Sequence, residues 1–132
     1  MKLRHTLLLT LSLLCLATGQ TLAQHPATTC PDTLDPTLLS ADLAQQHLQQ
    51  GCVQLVVLQE AVHTDAHKAC MAQVAAAMGY RYVWVRPLRN PQLLGQLKAY
   101  NGVMQTHLNT QLGPQWVADY NRRLRACTQP GQ

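Results

Sequence analysis

Two stretches decide the fold: Cys52-Val53-Gln54-Leu55-Val56-Val57-Leu58 and Tyr80-Arg81-Tyr82-Val83-Trp84-Val85. The first is almost continuously apolar, the pattern of a strand covered on both faces. The second alternates and is rich in aromatic and β-branched residues, which again reads as a strand. Between them, Thr64 is a helix N-cap, and His67, Cys70, Met71, Val74 and Met78 recur on one helical face. Gly79 closes that helix. A strand–helix–strand unit with so long a crossover makes the strands parallel and the connection right-handed.

Working outward, Asp35-Pro36 pairs an N-cap with a proline at the first helical position, and Ser40 is an alternative cap one turn later. Leu39, Leu43, Ala44 and Leu48 follow at helical spacing, and Gly51 ends the run. Asn90-Pro91 repeats the cap-and-proline signal. A long helix follows through Leu94, Leu97, Tyr100, Val103 or Met104, and Leu108, ending near Gly113. Gly95 and Gly102 weaken it by about 1 kcal/mol each relative to alanine. Gly113-Pro114 opens a last helix with Trp116, Val117, Tyr120, Leu124 and Cys127. The expected fold is a helix-rich α/β domain in the order helix, strand, helix, strand, helix, helix. Its parallel sheet has only two strands, which is marginal alone. Helices, disulfides or a partner that extends the sheet must supply the stability.

The chain of 132 residues has room for one such domain. Met1-Lys2-Leu3-Arg4 is basic, Leu7 to Ala17 is an apolar run, and Thr21-Leu22-Ala23 places small residues at a peptidase site. Residues 1–23 read as a signal peptide, 24–34 as an irregular arm, 35–128 as the domain and 129–132 as a tail. The apolar run is too short for a stable membrane span. The protein is therefore expected in the periplasm or secreted. Losing Lys2 and Arg4 takes the basic count from 10 to 8 against 6 acids, a net charge of +2. That balance, without base-stacking aromatics among the arginines, argues against nucleic acid. The mature charge is also divided. Five acids and no base precede Ala66, and eight bases with only Asp119 follow it. The simplest reading is that the two halves pack with opposite charges adjacent.

Cys15 leaves with the signal, and Cys30, Cys52, Cys70 and Cys127 remain. An even count in a small exported domain reads as two disulfides. Cys52 starts its strand, and Cys70 lies less than two turns into a helix running back. The two are thus on the order of 10 Å apart along the axis, beyond the ~7 Å that a bridge spans between Cα atoms. Two pairings stay open: 30–52 with 70–127, and 30–70 with 52–127.

Gly79-Tyr80-Arg81-Tyr82, Tyr100-Asn101, Leu108 and Gly113-Pro114-Gln115-Trp116 together resemble the FEKKY-domain family, over roughly Ser40 to Arg125. The chain departs from that pattern in two places. The family's Tyr-Gly order stands here as Gly79-Tyr80, and a Gly-Cys after the second strand is replaced by Arg86-Pro87-Leu88. The resemblance implies a fold of this kind and no established activity.

In open parallel sheets, ligands favour the carboxyl ends of the strands. Glu60, His63, Asp65 and His67 follow the first strand, and Arg86, Arg89 and Asn90 follow the second. Glu60, His63 and His67 offer a carboxylate and two imidazoles to Zn²⁺ or Cu²⁺. The helical spacing of the histidines holds only if the helix includes His63, which a Thr64 cap prevents. Arg86 and Arg89 beside a helix N-terminus offer a place for a small anion. Tyr82, Trp84, Tyr100, Trp116 and Tyr120 read as core and rim, with Asn101 placed to satisfy a buried backbone group. One serine remains in the mature chain, and no nucleophile, phosphate-loop or His-Glu-x-x-His motif occurs. The leading expectation is a binding domain without catalytic activity. Its partner is another envelope protein, or a homo-oligomer formed through the sheet edge. A metal- or anion-binding protein comes second and a small envelope enzyme third.

Overall fold

A computed structural model describes residues 30–60 and 62–129. The expected signal peptide, the start of the arm and the end of the tail lie outside the described residues. The element order is α1 (Ala41–Gln49), β1 (Gln54–Leu58), α2 (Asp65–Ala77), β2 (Arg81–Val85), α3 (Pro91–Leu112) and α4 (Trp116–Thr128), the order read from the sequence. β1 and β2 pair in parallel, with Leu55 beside Tyr82, Val56 beside Val83 and Val57 beside Trp84.

The first helix differs from expectation. Asp35 does cap, accepting from the Thr37 amide and hydroxyl, but it starts only a 3-10 turn, Pro36–Leu38. Leu39 then returns to extended backbone and sends its side chain into the core, 1% exposed. Ser40 restarts the chain as α1, its hydroxyl accepting from the Leu43 amide at 3.0 Å. Burying Leu39 is worth roughly 1.5–3 kcal/mol, more than one continuous helix would add by propensity alone. The other caps are as read. Thr64 starts α2, Asn90 with Pro91 starts α3, and Gly79 and Gly113 take positive φ just past α2 and α3. L-residues avoid that conformation, so both stops need glycine.

α3 runs 22 residues, through Gly95 and Gly102 without a break. Tyr100, Met104 and Leu108 form its buried stripe. It lies along β1 with α1 packed against it, while α2 packs on β2 and α4 on α2. The core collects Leu39, Ala44, Val56, Val74, Ala75 and Val85 around that α3 stripe, with Trp116 and Tyr120 from α4. It is aliphatic with tyrosine and tryptophan, as a chain without phenylalanine requires.

The cysteines pair as Cys30–Cys52 and Cys70–Cys127, with Cα separations of 5.5 and 5.8 Å. One bridge pins the arm to the start of β1. The other ties α2 to the last turn of α4. Arg81 adds a second clamp on the arm, donating to the Pro31 carbonyl and pairing with Asp32. That is the one ion pair between the acidic and basic halves among the described residues, since Arg122–Asp119 is internal to α4. The charge division is therefore mostly left facing solvent.

Candidate functional site

At the carboxyl ends of the strands, the chain leaves β1 with the Gln59 amide bonded to the Val85 carbonyl. It then turns through a bond from the His63 amide to the Glu60 carbonyl. Thr64 caps α2 by accepting from the His67 amide, so His63 lies outside the helix. The two imidazoles nonetheless stack, with ring centroids 5.8 Å apart. His63 also meets the Trp84 ring edge-on at 5.2 Å, and the Lys68 ammonium sits 5.5 Å from the same ring. Nδ1 of His63 is buried with no hydrogen-bond partner among the described residues. Glu60 is exposed, and among the described residues no three His, Cys, Asp or Glu side chains converge as metal ligands. Folding thus brings together two of the three residues read as a metal set.

Arg86 and Arg89 are exposed, and neither forms an ion pair among the described residues. At the helix start beside them, the Gln92 amide already donates to Asn90 Oδ1 at 2.8 Å. The cap takes one of the donors that an anion would use. A cavity of about 460 Å³ lies elsewhere, between α1 and α3. His107 is the only titratable side chain in its lining. That cavity and the chemistry-bearing residues are in different places.

The two sheet edges differ. Asn101 reaches from α3 to β1 and closes its outer edge at Val56: Oδ1 accepts from the Val56 amide at 2.9 Å, and Nδ2 donates to the Val56 carbonyl at 2.8 Å. One side chain reproduces both bonds of a neighbouring strand. The expected role of Asn101 is thereby observed, on a specific backbone unit. No side chain among the described residues clamps β2 in this way. Arg81 and Val85 direct backbone groups at β1, so Tyr82 and Trp84 direct theirs outward. Among the described residues, the amides of Tyr82 and Trp84 have no partner there. Both side chains are half-buried.

A polar cluster inside the core escaped the sequence reading. Tyr100 Oη lies 2.7 Å from His47 Nδ1, and Gln54 Nε2 donates to Tyr100 Oη at 3.0 Å. Gln54 is fully buried, and its Oε1 lacks a partner among the described residues. Two signals were present. Gln54 is the one polar residue inside an apolar strand, and His47 falls on the apolar face with Leu43, Ala44 and Leu48. Burial lowers the affinity of His47 for a proton. Burial likewise pushes the Tyr80 phenol up to about 12 and raises Tyr82, Tyr100 and Tyr120. All four phenols therefore stay protonated at neutral pH; those of Tyr80, Tyr82 and Tyr100 are hydrogen-bonded, and that of Tyr120 has no partner among the described residues. Tyr80 and Tyr82 bond to each other at 3.2 Å, and Trp116 Nε1 donates to Asn109.

Compared with family models, characterised proteins and solved structures, the chain matches none. No helix among the described residues is long and apolar enough to cross a membrane.

Proposed function

We propose that the chain is a small binding domain of the periplasm or the extracellular space. It acts by interaction and not by catalysis, and offers the free edge of β2 to a partner strand. The observation that carries this reading is the asymmetry of the sheet. β1 is closed by Asn101, and the outward backbone groups of β2 at Tyr82 and Trp84 are unpaired among the described residues. An open edge recruits strands, and folds that do not use one cover it. The signal-like start and two disulfides support export. The FEKKY-domain likeness joins this proposal as a matter of fold and assigns no activity. The test is crosslinking in the native envelope, followed by amide exchange on the reconstituted complex with the recovered partner. Slowed exchange at Tyr82 and Trp84 supports the reading. Exchange there equal to that of the free chain sinks it.

A second reading rests on the facing imidazoles of His63 and His67, which suit Zn²⁺ or Cu²⁺ with water completing the shell. Calorimetric titration of the mature protein tests it. Micromolar binding that is lost in His67→Ala supports a metal role. No heat and no change in melting temperature removes it.

A further inference from the structure

Resting on the reading of β2 as the interaction edge, we infer that its partner is β2 of a second copy of this chain. The two strands run antiparallel about a two-fold axis at Val83. Only Tyr82 and Trp84 turn backbone groups outward. With Val83 opposite Val83 of the second copy, Tyr82 faces Trp84 of that copy, and Trp84 faces its Tyr82. Each pair exchanges both N–H···O bonds, the hydrogen-bonded pair of an antiparallel ladder. The paired side chains are aromatic and share a face, a favourable cross-strand combination. They also extend the row in which Tyr82 already contacts Tyr80 and Trp84.

Charge selects the antiparallel direction. Beyond the carboxyl end of β2, Arg86 and Arg89 are exposed without ion-pair partners among the described residues. At its amino end stands Asp32, whose side chain is 89% exposed although it touches Arg81. Antiparallel pairing sets the arginine end of each copy beside the Asp32 end of the other, twice over by symmetry. Parallel pairing would set arginines beside arginines. The assembly also closes. Its sheet has the order β1-β2-β2-β1, and both outer strands are β1, already sealed at Val56 by Asn101. An isologous pair results and not an open-ended stack.

The test uses the mature, disulfide-intact protein from low micromolar to millimolar concentration. Sedimentation is expected to show the mass doubling, with the amides of Tyr82 and Trp84 exchanging at least about tenfold more slowly in the heavier species. Arg86→Glu, at an exposed position, is expected to weaken association about tenfold or more, and Asp32→Lys in the same chain to recover it. A single mass up to millimolar concentration overturns the second copy, as does a doubling that leaves both amides unprotected. A strict monomer whose Tyr82 and Trp84 amides are protected by the envelope partner would refute this inference alone. Unprotected amides in both complexes would remove the edge reading as well.

Discussion

Replacing Asn101 by alanine should unseal β1 while leaving its pairing with β2 intact. Two hydrogen bonds are lost, to the amide and to the carbonyl of Val56. Each contributes about 0.5–1.5 kcal/mol net, and a backbone group left dry costs more. The site is only part-buried, so water reaches it in part, and the expected loss is about 2–3 kcal/mol. For a domain of this size, each kcal/mol moves the melting temperature by roughly 4–8 °C. Urea unfolding with the disulfides intact measures the free energy. Amide exchange locates it. The Val56 amide should become fast, while those of Leu55 and Val57, which face β2, should stay slow. Asn101→Asp sharpens the argument. Its carboxylate still accepts from the Val56 amide but opposes the Val56 carbonyl. The folded state should then bind a proton more tightly than the unfolded one, so this variant should gain stability as pH falls. An Asn101→Ala protein within about 0.5 kcal/mol of the parent, with Val56 still protected, would refute the view that this side chain stands in for a strand.

Two further outcomes follow from the same structure. The disulfides close separations of 22 and 57 residues, so chain entropy assigns about 3 kcal/mol to Cys30–Cys52 and about 4 kcal/mol to Cys70–Cys127. Paired Cys→Ala variants in chemical denaturation should keep that order, and the reverse order would show that native-state contacts outweigh the loop term. His47 is held below its ordinary proton affinity by burial. The unfolded chain therefore binds more protons than the folded one between the folded value and about pH 6.5, so stability falls as pH falls through that window. The contribution reaches at most about 1.4 kcal/mol per pH unit. Subtracting the curve of His47→Gln should isolate it, and parallel curves would mean that the imidazole stays hydrated.

The elements themselves were legible from residues in sequence order. Caps at Ser40, Thr64 and Asn90, glycines past the helix ends and the apolar periodicities act within about one turn, so no distant contact is needed to read them. Even the displaced start of α1 followed local chemistry, since Asp35 and Ser40 both carry cap signals and the burial of Leu39 chose between them. The expectation of export rests on signals just as local: a basic start, an apolar run and four further cysteines need no fold to be recognised.

What only the tertiary structure decided joins residues far apart along the chain. The parallel sheet restricted the cysteines to two pairings. The packing of α4 on α2 and of the arm at β1 then selected one. Asn101 was readable as a partner for some backbone group, but that it closes β1 depends on where α3 lies. Nothing in the spacing of His47, Gln54 and Tyr100 shows that they meet, nor that Glu60 stays apart from His63 and His67. Local preferences determine what each segment becomes. The orientation of one helix against another is settled by the burial of whole faces, and only that settles which side chains touch and which edge of the sheet is left open.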